Sequence, residues 1–394
     1  MQRRTMIKLA GGGVVLAASA AWLSRMQVFG IPASATAAWR EAASPTEIRR
    51  FVLAHALLAP NPHNMQPWIA DLSIPGEIVL RLDTARLLPA TDPFGRQILM
   101  GIGGFLELLD MAAAARGHRT ETQLFPEGAP GARLEDGRAV ARIRLHAHPA
   151  AEPNALFAGI AVRRTERQAY DPARPPSAVE MARLQQAAAG LPVRFGAAGA
   201  DDPTKVAAIR TIARAAWKVE LLTEPAMMES MHVLRVGSAE IDRHRDGIAL
   251  TSPLVVTMAK LGLFDRTRFP AADSSAVRAQ IDGFDAVTAS TPAYFWLVTE
   301  GNTRALQIAA GRAYARVALA GAALGLAMHP NQQSLQEYPE VATHHQAIHA
   351  LLDAPAPDFT VQMLARLGTL PAAAAPAGPA PRRGLAAFAT PAMS

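Results

Sequence analysis

The sequence predicts an α+β protein in which one structural unit occurs twice and the second copy carries a helical insertion. Three observations predict it. Short apolar runs of strand-favouring residues are interspersed with long helical patterns. The long helix expected at 95–117 overlays the one expected at 303–325 with a shift of 208 positions, which brings Arg96 onto Arg304, Gly103 onto Gly311 and Gly117 onto Gly325. Each of these helices also follows one expected strand and precedes another. The divisions are an address segment at 1–35, a first unit at 36–150, and a second unit at 151–394 with a lid-like helical insertion at 202–285.

In chain order, Ser44-Pro45-Thr46-Glu47 reads as a capping box with proline at the first helical position. It opens a helix over 44–59 whose Ile48, Phe51, Val52 and Leu58 recur at helical spacing. His55 is the polar residue on that stripe and reads as a core histidine. Pro60 ends the helix. The clustered prolines of Pro60-Asn61-Pro62-His63-Asn64-Met65-Gln66-Pro67-Trp68 make the next segment a rigid loop, with Trp68 read as core. Strands at 78–83 and 139–146 flank the helix at 95–116. A helix near 154–162 leads into Arg163-Arg164-Thr165-Glu166-Arg167, and a second capping box at Ser177-Ala178-Val179-Glu180 opens a helix that ends at Gly190. Residues 202–285 are mostly helical in pattern and carry no strand signal. A strand at 293–299, helices at 303–324 and 334–352 and a strand at 359–366 follow. The Pro/Ala-rich stretch 371–381 is expected to be extended and runs into Arg382-Arg383.

The formal charge of +6 suggests an acidic partner at first sight. Residues 1–35 hold Arg3, Arg4, Lys8 and Arg25 and no acid, so the remainder has 35 basic residues against 33 acidic ones. Nucleic acid is not expected as a partner on that balance. The absence of cysteine excludes disulfides, thiolate metal sites and a cysteine nucleophile, and suits an oxidising compartment. Arg3-Arg4, the apolar or small stretch Leu9–Leu23 and the A-x-A site Ala33-Ser34-Ala35 form a secretory pattern that resembles a twin-arginine signal. The expected location is therefore extracytoplasmic, the periplasm in a cell that has one. The twin-arginine export machinery is the expected partner, and no membrane span is expected after processing. The alternative is an uncleaved anchor, disfavoured because the stretch is shorter than the roughly 20 residues a span needs.

Other chemistries find little support. His345 and His349 have the helical spacing of a metal pair, but no third ligand is evident, and no metal site is expected. Gly101-x-Gly103-Gly104 lies inside a helical pattern, outside the strand-to-helix turn that a dinucleotide fingerprint requires. No Gly-x-Ser-x-Gly elbow occurs.

The loop Pro60–Trp68 resembles the Pro-Ser-x-x-Asn-x-Gln-Pro-Trp segment of nitroreductases, and Arg163-Arg164-Thr165-Glu166-Arg167 resembles their Arg-x-Ser-x-Arg/Lys phosphate motif. The layout is similar to the Acg-type branch, whose members bind FMN and carry an internal duplication. The resemblance covers most of the chain after the address segment. It implies a nitroreductase-like fold duplicated in one chain: a pseudo-dimer of two mixed sheets flanked by helices. In that family the flavin lies at a dimer interface, with the basic motif from one subunit and the Asn loop from the other. Here the first unit has only the Asn loop and the second only the basic motif. The two losses are complementary, and one composite site survives.

The resemblance further implies roles. Arg163, Thr165 and Arg167 would hold the FMN phosphate, ribityl chain or N1/O2 edge, and Arg382 or Arg383 would complete a phosphate clamp. Pro62, His63, Asn64 and Gln66 come from the Asn loop, Asn64 offering its amide to the flavin. His329, Pro330, Asn331 and Gln332, in the segment after Gly325, match by position the loop that approaches flavin N5. The bottom-up alternatives are a solvated helix end in which Arg163–Arg167 pair with Glu166 or Asp171, Asn64 and Gln66 satisfying loop backbone, and Arg382-Arg383 in a loose tail. No catalytic side chain is expected, because the flavin carries the chemistry. The implied activity is an FMN-dependent oxidoreductase that reduces nitroaromatic, quinone-like or related small-molecule acceptors, with NAD(P)H or another electron donor. A second reading is an FMN-binding or flavin-storing protein whose insertion is closed and whose turnover is small.

Overall fold

The structure, a computed structural model, describes residues 30–390. The expected address segment lies largely outside them. Of its cleavage site, Ser34 begins a short 3-10 turn, Ala35 is fully buried, and the Ala35 carbonyl accepts from the Arg382 N–H at 2.9 Å.

The first unit contributes α1 (Ala37–Glu41), α2 (Ile48–Ala56), β1 (Trp68–Asp71), β2 (Glu77–Leu82), α3 (Arg96–Ala114), β3 (His118–Leu124) and β4 (Ala139–Ala147). The second contributes α4 (Gly159–Val162), α5 (Ala178–Ala188), β5 (Arg194–Ala198), β8 (Ala293–Glu300), α11 (Arg304–Ala323), β9 (Ala327–Pro330), α12 (Ala342–Leu351) and β10 (Phe359–Gly368), ending in β11 (Ala389–Thr390). Between β5 and β8 lie α6 (Pro203–Leu222), α7 (Glu224–His232), β6 (Leu234–Val236), α8 (Gly237–His244), β7 (Ile248–Leu250), α9 (Pro253–Lys260) and α10 (Ser275–Ala289).

The two main sheets have the same wiring. The first runs β1-β2-β4-β3 and the second β5-β8-β10-β9, with the long helix following the second strand of each. The first sheet gains β11, which pairs parallel to β1 and makes that sheet mixed. The second sheet is antiparallel throughout, where a mixed sheet was expected. The physical reason is the tail. The end of the second unit crosses to the first, whereas the first unit's chain turns from β4 straight into α4 and sends no strand to pair with β5.

α3 and α11 pack along each other at the centre. α3 passes the length and apolarity test for a membrane span, although the sequence suggested no such segment, but it is a buried core helix. Arg96 and Arg304 open the two helices and reach across in opposite senses. Arg96 donates to the carbonyls of Leu335 at 2.6 Å and Gln362 at 2.7 Å; Arg304 donates to those of Phe94, Gly131 and Ala132 at 2.6–2.9 Å. The Gly103 backbone inside α3 also shows why a dinucleotide reading of that run fails: the glycine serves helix contact, not a phosphate turn.

Several local expectations change. The cap of α2 is Glu47, whose carboxylate accepts from the N–H groups of Arg49 and Arg50, so the helix starts three residues later than a Ser44 cap would place it. Ser177 and Glu180 do form the expected capping box. The insertion contains two strands, β6 and β7, paired parallel. At three residues each, they are too short for an alternation to register. The helix expected at 334–352 is confined to α12 by Pro339, with 3-10 turns before it.

Candidate cofactor site

The Asn loop leaves α2 through a 3-10 turn at Pro62–Asn64. His63, Asn64 and Gln66 all take left-handed φ values, 47°, 55° and 53°. That conformation is uncommon for residues with a Cβ and persists only where the surroundings hold it. Gln66 is the holding group. Fully buried, it donates from Nε2 to the carbonyls of Asn64 at 3.2 Å and Arg245 at 2.8 Å, and its Oε1 accepts from the Arg383 N–H at 2.8 Å. One side chain thus ties together the loop, the insertion and the tail. Its polar atoms are engaged in the protein, so Gln66 satisfies backbone groups of the loop, the insertion and the tail. Asn64 is similarly bound: Nδ2 donates to the Pro381 carbonyl at 3.0 Å and Oδ1 accepts from Arg382 at 2.5 Å.

The basic motif of the second unit lies across from this loop. Residues 163–167 run beside β9, with the Glu166 N–H donating to the Met328 carbonyl at 2.9 Å. Glu166 turns its carboxylate away to the Ala377 N–H and Gln168, and Asp171 caps its own turn at Ala173. Arg163 is 5% exposed and, among the described residues, has no acidic partner. The solvated-helix-end alternative therefore does not describe it. Burial lowers its pKa, and the neighbouring Arg164 adds to that. Arg167 is exposed and has no acidic partner among the described residues, and burial of its guanidinium lowers its pKa against the pull of Tyr314.

The rest of the cleft follows from what the arginines act on. Burial and then the Arg167 charge depress His63 of the first unit to about 4, so it is neutral at pH 7. Burial, Arg167 and Arg366 depress His329 of β9 well below the usual histidine value. Burial raises the Tyr314 phenol of α11 to about 12, against the pull of Arg163 and Arg167. Arg167 thus acts on His63 of the first unit and on His329 of the second, and Tyr314 feels both Arg163 and Arg167. Buried polar atoms without partners continue the site: His63 Nδ1, both amide atoms of Asn331 and Gln332 Oε1. Thr165 and Pro330 are half-exposed, and the Pro62 ring lies over Gly101 of α3, where an added Cβ would meet its Cδ at 3.4 Å.

The two tail arginines have separate fates, and neither is loose. Arg382 is buried, with Nε donating to Leu57, Nη2 to Leu58 and Ala59, and Nη1 to Asn64 and Pro381. All five donors are engaged, chiefly on the carbonyl end of α2, where a cation opposes the helix dipole. Burial, with Arg163 and Arg164 nearby, lowers it to about 9. Arg383 points elsewhere, to the Gln66 carbonyl at 2.6 Å and toward Asp83 at 3.9 Å. The free positive charge left for an anion is therefore that of Arg163 and Arg167, with Arg164 behind them.

Sequence reasoning missed Trp39, Arg164 and Tyr314. Trp39 is roofed by three guanidiniums, those of Arg164 at 4.6 Å, Arg382 at 5.2 Å and Arg163 at 6.0 Å from its ring centroid. It lies in the short helix before the Asn loop, where no motif marks it. Tyr314 falls in the α11 repeat and reads as core from its spacing. Trp68 is core, in van der Waals range of Phe105 and Phe388. His55 is satisfied by the Phe51 carbonyl at 2.9 Å. His349 is buried, and it bonds the His345 carbonyl and the Val361 N–H. No cluster of three metal-ligating side chains occurs among the described residues.

One buried and one exposed guanidinium without acids, with the unsatisfied Asn331 amide following β9, fit a ligand that carries a phosphate and a polar chain.

No family model matches the chain. A Mycobacterium tuberculosis protein named as the NAD(P)H nitroreductase Acg is 37% identical over 83 residues; the match spans 21% of this chain and 24% of that protein's length. A second protein of that organism, also named as an NAD(P)H nitroreductase, is 28% identical over 345 residues, covering 86% of this chain and 90% of its own. These relatives bear out the resemblance to nitroreductases. Among solved structures, a nitroreductase with bound FMN from Bacteroides fragilis aligns with 57% of this chain and 93% of its own at 15% identity and a TM-score of 0.32. The nitroreductase NfnB from Mycobacterium smegmatis in complex with NADPH aligns with 57% and 92% at 18% identity and a TM-score of 0.34.

Proposed function

We propose that this chain, similar along most of its length to a protein named as an NAD(P)H nitroreductase, is an FMN-dependent oxidoreductase with one flavin held between its two units. The observation that carries the proposal is the pair Arg163 and Arg167, cations without acids that face the Asn loop of the other unit. FMN supplies the hydride or electron transfer when bound. Arg163 binds its phosphate, and Arg167 and the neutral His63 line the remaining groove. Asn331 offers its unpaired amide, and Gln332 its unpaired Oε1, to the ring or ribityl edge. Gln66 and Asn64 hold the loop in its left-handed shape, and Arg382 fixes the tail against α2. The acceptors in this reading are nitroaromatic or quinone-like molecules, and the donor is NAD(P)H or another reductant. Export through the twin-arginine route, read from Arg3-Arg4 and the following apolar stretch, belongs to the same proposal.

A second reading, flavin binding with little turnover, is favoured by one contact pattern. The insertion is bonded to the Asn loop at two points, Gly247 N–H to the Asn64 carbonyl and Gln66 to the Arg245 carbonyl. A fixed insertion would restrict acceptor entry. Anaerobic mixing separates the two. Reduction of the bound flavin by NADPH, followed by reoxidation with a quinone, is expected for the enzyme; reduction by dithionite alone would leave the binding role. Flavin released from purified protein should amount to about one per chain, since this reading has one composite site; about two would sink the single-site reading. Lysines at Arg3 and Arg4 should retain precursor in the cytoplasm.

A further inference from the structure

We infer that Arg366 is a positioning residue that fixes His329 as a neutral imidazole with its proton on Nε2, so that β9 offers a permanent N–H donor to the ligand of the cleft. The use of that donor by FMN rests on the function proposed above; the state of the imidazole does not. Tyr294 of β8, Arg366 of β10 and His329 of β9 stand in one cross-strand row. Residues directly opposite one another share a face of the sheet. Arg366 is fully buried and has no acidic partner among the described residues. Its Nε donates to Thr291 Oγ1 at 2.7 Å, and its Nη2 donates to the carbonyls of Gln168 and Val287, both at 3.1 Å. Its Cζ lies 4.2 Å from the centroid of the Tyr170 ring. These contacts clamp the guanidinium and leave Nη1, which meets His329 Nδ1 at 3.4 Å.

A guanidinium can only donate, so Nδ1 accepts, and a neutral ring that accepts at Nδ1 carries its proton on Nε2. The flipped ring would set a C–H against the buried cation. Protonation of the ring is opposed as well. Burial first, then the charges of Arg167 in the basic motif and Arg366 in β10, hold the imidazole well below the ordinary histidine value. The place of the ring suits a donor. The Glu166 N–H bonds the Met328 carbonyl, so the basic motif and β9 run side by side, with Arg167 and His329 each one residue further on. His329 is half-buried, and its Nε2 has no hydrogen-bond partner among the described residues. His349 differs, since it uses both ring nitrogens inside the protein. An N–H of fixed orientation and no charge suits an electron-rich carbonyl or ring-nitrogen edge, while Arg167 beside it supplies the positive charge.

The test is the side-chain nitrogen resonance spectrum of the full chain carrying isotope-labelled histidine, recorded with and without FMN between about pH 5.5 and about pH 8, where an ordinary histidine titrates. His329→Gln identifies the resonances. The parent should show a single His329 tautomer, with the proton on Nε2, that does not titrate over this range. Arg366→Met should mix the two tautomers and weaken FMN binding about fivefold, the loss of one neutral hydrogen bond. His329→Gln, whose amide can place an N–H where Nε2 stood, should bind FMN within about twofold of the parent, and Arg366→Met added to it should cost no further affinity. A merely structural Arg366 would cost the same in both backgrounds. An imidazolium at neutral pH or an Nδ1–H tautomer in the parent would overturn the proposal, and this reading of the parent decides even where Arg366→Met does not fold. An unchanged tautomer in folded Arg366→Met would overturn it too. Failure of every variant and of the parent to bind FMN, with the Nε2–H tautomer in place, would overturn the flavin reading and leave the Arg366–His329 pairing standing.

Discussion

Gly103 and Gly311, which stand 208 positions apart, make reciprocal contacts with each other's helix. A Cβ on Gly103 would lie 2.1 Å from the carbonyl oxygen of Ile308, and a Cβ on Gly311 would lie 2.0 Å from that of Met100. Met100 and Ile308 are themselves separated by 208 positions. The contact is therefore that of a two-fold dimer interface, in which one residue touches a second and the copy of the second touches the copy of the first. Here a single chain supplies both sides. The close approach of α3 and α11 brings the two units near enough to share one cleft.

Gly103→Ala and Gly311→Ala should accordingly each destabilise the protein by about 2 kcal/mol or more, since the obstacle is backbone and cannot rotate away. Gly283→Ala in α10 meets nothing within 4 Å and should be neutral or slightly stabilising. Urea unfolding of the three variants checks this. A neutral Gly103→Ala would mean that the helices separate at little cost.

Arg163→Ala should weaken FMN binding by about 30-fold, the loss of a charge-assisted phosphate bond of about 2 kcal/mol. Removing a buried cation with no partner should leave the thermal stability of the flavin-free protein unchanged or raised. Arg382→Ala should do the reverse. It strips a cation from the end of α2 and removes the side-chain donor from the carbonyls of Leu57 and Leu58, while Ala59 keeps Asn61 Nδ2, so unfolding temperature should fall first. Flavin fluorescence titration beside thermal melts distinguishes them; identical profiles for the two variants would show that the division of roles is wrong.

Gln66→Ala removes the side chain that joins loop, insertion and tail. Faster flavin release and easier proteolysis near Pro371–Arg383 are expected, with slight change in the far-ultraviolet spectrum. Gln66→Glu should be damaging as well, because the group facing the Asn64 and Arg245 carbonyls must donate. A Gln66→Ala protein that retains both flavin and an intact tail would remove Gln66 from this role.

Glu220 of α6 gives a pH prediction. Burial, opposed by hydrogen bonds that include Gln336 Nε2 at 2.8 Å, raises its carboxyl to about 7. Between the ordinary glutamate value of 4.5 and that value, the unfolded chain has released the proton while the folded chain keeps it. The unfolded state then binds fewer protons, so this group's contribution to stability falls as pH rises through that window. Glu220→Gln should flatten the decline in melting temperature between about pH 5 and pH 7.5 and gain relative to the parent at the upper end. A parallel decline in both proteins would assign the pH dependence to other groups.

The sequence by itself determined the repeat, the two long helices and both motif segments, because these are written in local spacing: Arg96 over Arg304, Gly103 over Gly311, prolines around Asn64, arginines at 163–167. It also determined which half lacks which motif. What it could not determine is which polar groups remain free. Gln66 and Asn64 look alike as ligands in the loop, but Arg245, Pro381 and Arg383, distant in sequence, occupy their atoms. Arg382 and Arg163 look alike as phosphate donors, but the end of α2 takes all the hydrogens of the first and none of the second. Trp39 and Tyr314 carry no motif and enter the cleft only because α1 and α11 are packed there. Hydrogen-bond capacity and burial belong to the whole chain, so the tertiary structure alone decided that Arg163 and Arg167 have no acidic partner among the described residues while Arg382 is fully engaged.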